Sequence, residues 1–114
     1  MAAQNSVLTQ IARPYAAALF DLAKSENQLA QVETGLSDIS RLIGESEDFS
    51  RYLRSPVIPG DVKASALDAL LGKAKVNPVV GNFLRIVARN GRLFALDQII
   101  VAFRELAAAD RGET

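Results

Sequence analysis

Side chains that could carry out chemistry are sparse in this sequence. The chain has 13 acidic and 13 basic residues but neither histidine nor cysteine, which removes the commonest general base, the commonest zinc ligand and any thiolate nucleophile. Its one dense acidic cluster, Glu45-Ser46-Glu47-Asp48, lies at the start of a predicted helix, where carboxylates favour the helix dipole. The spacing of a calcium loop is missing. We therefore expect no catalytic residue, no metal site and no cofactor.

A second possible site consists of arginines. Arg85, Arg89 and Arg92 recur at helical spacing and could contact phosphates. A small DNA-binding module that reads DNA with its fifth or sixth helix is therefore an alternative hypothesis. The zero formal net charge disfavours nucleic acid and anionic membranes as partners, because both attract basic surfaces. No apolar run reaches the length of a membrane span, so direct membrane insertion is not expected.

The elements that would position these residues are all helical. Six segments show apolar residues at helical spacing, and none shows the alternation of a strand. The predicted fold is all-α, a compact six-helix bundle, because the connections are short. The predicted helices span about 6–24, 26–43, 47–54, 60–74, 77–90 and 92–109. Residues 1–109 are expected to form one domain, with 110–114 as a tail or the start of a linker to a C-terminal domain absent here.

Proline and glycine mark several of the helix ends. Pro14 interrupts the first helix, for which we favour one continuous, slightly bent helix over a separate N-terminal turn. The fifth helix is predicted to begin at Asn77-Pro78, an N-cap followed by proline at the first position. It is predicted to end at Asn90-Gly91, where glycine can adopt the left-handed conformation.

Large apolar side chains on these helices define the predicted core. The fourth helix is expected to bury Val62, Ala66, Leu67, Leu70 and Leu71. Core contacts across the bundle are expected from Phe49, Tyr52, Leu67, Leu70, Phe83, Ile99 and Phe103.

The first and fifth helices carry more apolar surface than one core needs. The first is apolar over more than half its circumference, and the fifth has two neighbouring stripes, Val79/Phe83/Ile86 and Val80/Leu84/Val87. A surface helix usually buries a single apolar face. These two helices are therefore either central in the core or the walls of a groove.

Two motifs resemble one known family. Ala12-Arg-Pro-Tyr-Ala-Ala-Ala-Leu-Phe-Asp-Leu-Ala23 is similar to the start of the delta subunit of bacterial F-type ATP synthases, the counterpart of the mitochondrial oligomycin-sensitivity-conferring protein. Asn82-Phe-Leu-Arg-Ile-Val-Ala-Arg-Asn-Gly-Arg-Leu93 resembles the helix-turn-helix near the end of that family's N-terminal domain. Ser55-Pro56 with Lys63 resembles the family's connection into its fourth helix. The resemblance covers essentially the whole chain.

The resemblance implies a non-catalytic stator connector that holds the catalytic head of the ATP synthase against rotor torque. Its partner would be the N-terminal helix of an alpha subunit, bound in a groove between the first and fifth helices. The implied contacts are Tyr15, Ala18 and Val87, and their spacing adds Ile11, Leu22, Val80 and Leu84 as neighbours. The peripheral stalk b subunits would bind only through the family's second domain. The implied location is peripheral, at the cytoplasmic face of the bacterial inner membrane.

Overall fold

The computed structural model describes residues 2–55, 57–74 and 76–112. Over these residues the chain forms six α-helices and one 3-10 turn, with no strand among them. The helices are α1 (Ala2–Ser25), α2 (Leu29–Gly44), α3 (Glu47–Arg54), α4 (Gly60–Ala74), α5 (Pro78–Arg89) and α6 (Leu96–Asp110), and the 3-10 turn is Leu93–Ala95. The prediction of a compact all-α six-helix fold is confirmed.

Three helices begin at positions other than those predicted. Helix α1 begins at Ala2 and continues through Pro14, as favoured from the sequence. Helix α2 begins three residues late because Asn27 adopts a left-handed conformation, with φ 56°, which ends the preceding turn. The last helix is preceded by its 3-10 turn and begins at Leu96.

The signals at both ends of α5 act as predicted. The Asn77 side chain accepts hydrogen bonds from the backbone nitrogens of Val79 and Val80, and Pro78 occupies the first turn. At the other end Gly91 has φ 70°, a conformation that glycine adopts without a Cβ penalty. Helix α5 is therefore fixed at both ends by local chemistry.

Among the described residues, the most extensive contact between two helices is that of α1 with α6, which run in the same direction. The rings of Phe20 and Phe103 meet edge to face at 6.2 Å, and further along both helices Lys24 pairs with Asp110. The alanine stripe Ala12, Ala16 and Ala23 is fully buried. Small side chains let the helix backbones approach closely, which explains why one face of α1 is largely alanine.

Most of the predicted core is confirmed. Leu67, Phe83, Ile99 and Phe103 are buried, and Phe49 and Tyr52 are half-buried and packed against the core. Leu70 is only half-buried.

Helix α4 buries Leu67 and Leu71 as predicted, but its first turn differs from the prediction. Val62, expected in the core, is 43% exposed, whereas its neighbour Lys63 is buried. The Lys63 ammonium donates to the backbone carbonyl oxygen of Ser55, so the charged end is hydrogen-bonded inside the fold. Burial lowers the pKa of Lys63 below its usual 10.5, because removal from water disfavours the charged form. The long lysine stem supplies apolar contact where valine was expected.

Candidate partner-binding groove

An apolar groove of about 350 Å³ lies between α1 and α5. Its walls come from apolar side chains of both helices, with one amide among them. The lining residues are Tyr15, Ala18, Leu19, Leu22, Val79, Asn82, Phe83 and Ile86. The structure therefore brings together Tyr15, Ala18 and Leu22, three of the residues predicted from the sequence.

Two lining residues are the most exposed apolar side chains of the groove. Leu22 on α1 is 46% exposed and Ile86 on α5 is 54% exposed. Ala18 is also exposed, and because its side chain is small it leaves open space between Leu22 and Ile86. Single exposed apolar side chains are common on protein surfaces. Apolar side chains clustered in a concave surface, as here, are typical of protein interaction sites.

Tyr15 links the two walls. Its ring meets Phe83 edge to face, with centroids 6.4 Å apart and ring planes at 71°. Its hydroxyl oxygen accepts a hydrogen bond of 3.0 Å from the side-chain nitrogen of Asn90, which caps the end of α5. The groove is thus preformed in the free chain.

Four of the predicted contact residues do not line the groove. Val80, Leu84 and Val87 are fully buried, so the expectation that they form an exposed surface is corrected. Helix α2 approaches α5 closely at Val80. Gly35 permits this approach because it has no Cβ, and a Cβ there would lie 2.9 Å from a methyl carbon of Val80. Ile11, the fourth neighbour inferred from spacing, is half-buried and packs against the core.

Sequence reasoning missed five lining residues: Leu19 on α1, Asn82 on the polar edge of α5, and the other apolar stripe of α5. Val79, Phe83 and Ile86 recur at helical spacing, and that stripe was visible in the sequence. Both stripes are apolar, and periodicity alone does not say which one the other helices cover.

Helix α5 is held in place from behind by two further contacts. The Asn77 side-chain nitrogen donates to the Gln28 side chain at 3.0 Å, which joins the starts of α5 and α2. At the far end Gly60, the first residue of α4, lies against the backbone of Ala88 and Arg89. A Cβ at Gly60 would overlap the Ala88 carbonyl oxygen and lie 3.0 Å from that of Arg89. The α5 wall is therefore fixed along its length.

Two of the three arginines of the alternative hypothesis are engaged by neighbouring groups. Arg85 pairs with Asp68 on α4 and donates to Asn82 at 2.8 Å, so its charge is partly neutralised. Arg92 donates to the backbone carbonyl of Asn90 at 3.2 Å.

Two features are absent from the described residues. No helix there has the length and apolar character needed to cross a bilayer. No three carboxylates of that part of the chain converge in a way that could hold a metal ion.

Comparison with known proteins gives one consistent family. A family model described as ATP synthase delta (OSCP) subunit matches residues 11–114. Proteins named ATP synthase subunit delta are 44% identical in Mesorhizobium japonicum and 46% identical in Chelativorans sp., each over 114 residues and 100% of this chain. The one from Brucella ovis is 45% identical over 113 residues, or 99% of this chain. The chain spans 61% of the length of each of these relatives.

Proposed function

Because the chain belongs to the ATP synthase delta (OSCP) family, we propose that it is a non-catalytic stator connector that binds a helix of the catalytic head. The occupant of the α1–α5 groove is the N-terminal helix of an ATP synthase alpha subunit. Holding that helix keeps the head from turning with the rotor. The proposal extends to this chain a role of the whole family protein, of which the chain spans 61%.

The observation that supports the proposal is the exposed apolar groove. Leu22 and Ile86 project from opposite walls, and Ala18 leaves room between them for a helix to lie flat. An amphipathic helix recognises such a groove through apolar residues three or four positions apart. A helix of four or five turns would bury on the order of 1,200 to 1,600 Å² in total, within the range of specific complexes.

Residues 1–109 are proposed to act as the binding module, and residues 110–114 to lead towards a second domain that binds the peripheral stalk. The module would reach the membrane only through the assembled complex, as a peripheral component at the cytoplasmic face of the bacterial inner membrane. Neither catalysis nor a cofactor belongs to this role. No observation favours the DNA-binding alternative, and the pairing of Arg85 with Asp68 weighs against it.

The direct test is calorimetric titration of the folded chain with a peptide covering the alpha-subunit N-terminal segment. We expect saturable binding in one-to-one ratio, with a negative heat-capacity change from apolar burial. Amide chemical-shift changes should map to the lining residues of α1 and α5. Absence of binding at millimolar peptide, or changes confined to another face, would contradict the proposal. A duplex DNA titration at low salt tests the alternative in the same apparatus.

A further inference from the structure

Asn90-Gly91 is the one Asn-Gly pair in the chain. The other asparagines precede serine, glutamine, proline or phenylalanine, namely Asn5-Ser6, Asn27-Gln28, Asn77-Pro78 and Asn82-Phe83. A backbone nitrogen that follows asparagine can attack the side-chain amide carbon, and glycine offers the least steric hindrance because it lacks a Cβ. Asn90 is exposed, so water can reach the products of such an attack.

The folded conformation opposes that attack. Asn90 has ψ 0°, which eclipses the Gly91 nitrogen with the Asn90 backbone nitrogen and turns it away from the side-chain carbon. The Gly91 nitrogen also donates to the Ala88 carbonyl at 3.0 Å. The side-chain nitrogen of Asn90, which would be the leaving group, donates to the Tyr15 hydroxyl at 3.0 Å. Closing the ring requires all three features to be lost.

We propose that Asn90 is a site of spontaneous deamidation whose rate in the folded chain is lowered by the Tyr15 hydroxyl. The Gly91 nitrogen gives up its proton to solvent and bonds to Cγ of Asn90. Nδ2 takes up a proton from solvent, the bond from Cγ to Nδ2 breaks, and ammonia leaves. Water then opens the succinimide at either carbonyl and leaves aspartate or isoaspartate at position 90. Water is the sole co-reactant, and no electron transfer is involved.

The product changes the end of α5 where it meets Tyr15. A carboxylate replaces the amide that donated to the Tyr15 oxygen, so the hydroxyl must become the donor. The new negative charge lies at a helix C-terminus, where the dipole disfavours it. Isoaspartate also adds a backbone atom between Asn90 and Gly91, which disrupts the hydrogen bond to Ala88. Deamidation therefore loosens one wall of the groove, whatever occupies the groove.

The test follows isoaspartate formation in the full chain at mildly alkaline pH, by enzymatic methylation and by mapping of chymotryptic peptides. The folded chain is compared with the same chain in urea, and with the folded variants Tyr15→Phe and Tyr52→Phe. Tyr15→Phe keeps the ring on Phe83 and removes only the hydroxyl. Tyr52 stacks on Phe49, so its variant controls for loss of a tyrosine hydroxyl elsewhere.

We expect isoaspartate at position 90 to form about tenfold more slowly in the folded chain than in urea, because local opening must come first. Tyr15→Phe should raise the folded rate by about twofold to tenfold and leave the rate in urea unchanged. Tyr52→Phe should match the unmodified chain. Equal rates in folded and unfolded chains, no effect of Tyr15→Phe, or isoaspartate at another asparagine would each overturn the proposal. If Tyr15→Phe fails to fold, Asn90 reactivity at increasing sub-denaturing urea, compared with amide exchange of Gly91, decides the same question.

Discussion

The side-chain nitrogen of Asn90 donates a 3.0 Å hydrogen bond to the Tyr15 hydroxyl, although the two residues are 75 positions apart. This bond and the edge-to-face contact of Tyr15 with Phe83 both join α5 to α1. One tyrosine therefore contacts the opposite wall of the groove at two points.

The first prediction concerns the energy of that bond. Tyr15→Phe and Asn90→Ala, measured singly and together by urea unfolding, should give a coupling energy of about 0.5 to 1 kcal/mol. The value is low because both groups are partly in water. The double variant corrects for the cap that Asn90→Ala also removes. A coupling of zero would show that the contact does not persist in solution.

The second prediction uses three consecutive alanines of α1. Ala18→Asp places a charge in the groove but leaves it hydrated in the free chain, so the fold should survive and binding of the alpha-subunit peptide should weaken about a hundredfold or more. Ala17→Asp is the matched control, because Ala17 is exposed outside the groove and should leave affinity unchanged. Ala16→Asp should unfold the chain, since Ala16 is fully buried. Circular dichroism and calorimetry on the same samples separate these results, and an unchanged affinity in folded Ala18→Asp would refute the groove assignment.

The third prediction compares two glycines of α4. Gly60→Ala should destabilise the chain by about 1 to 3 kcal/mol or more, because the methyl group would overlap the Ala88 carbonyl oxygen and neither backbone can retreat easily. Gly72→Ala meets nothing within 4 Å and should stabilise the same helix by about 0.5 to 1 kcal/mol. Thermal and urea unfolding measure both. Equal effects of the two substitutions would mean that α4 and α5 are not in close backbone contact.

The fourth prediction concerns phenylalanine burial. Phe103 is fully buried against Phe20, and Phe103→Ala should cost about 3 to 5 kcal/mol through lost contacts and the cavity left behind. Phe94, which is 40% exposed, is the control, and its replacement by alanine should cost about 1 kcal/mol or less. If Phe94→Ala lowered the urea midpoint more than Phe103→Ala, the packing of α6 against the core described above would be wrong.

The fifth prediction is a pH dependence from Lys63. Its folded pKa is lowered by burial, so between that pKa and 10.5 the unfolded chain binds more protons than the folded chain. Stability should therefore rise with pH across this window, whereas the contribution of Lys63 stays constant below its folded pKa. The unfolding free energies of the unmodified chain and of Lys63→Met are measured from pH 7 towards pH 10.5. Relative to Lys63→Met, the unmodified chain should become more stable as the pH rises. Parallel curves would indicate that Lys63 is solvated.

Local signals in the sequence predicted the six helices and both ends of α5. The cap at Asn77 and the left-handed Gly91 depend on residues close by in the chain, so short-range chemistry specifies them. On the α1 side of the groove, the resemblance implied Tyr15 and Ala18 and spacing added Leu22, and these three residues line it, whereas Ile11 packs against the core.

The α5 side was not predicted because it depends on contacts distant in sequence. Val80 and Phe83 are both apolar and one turn apart, and it is the close approach of Gly35 that covers Val80. In the same way, the buried position of Lys63 depends on the carbonyl of Ser55, which hydropathy does not describe. Such choices among equally apolar faces are made by helix packing.

The shared direction of α1 and α6 has a mechanical consequence. A pull between an occupant of the groove and the end of α6 is transmitted through α1, parallel to the axes of both helices. Such a pull loads two contacts at once in shear, the Phe20–Phe103 ring contact and the Lys24–Asp110 ion pair. A pull across the helix axes would instead break the two contacts one after the other. At the far end of the pair, Arg111 joins the end of α6 to Glu33 of a third helix, α2, at 2.9 Å. The α1–α6 pair should therefore resist tension along its length far better than peeling from either end.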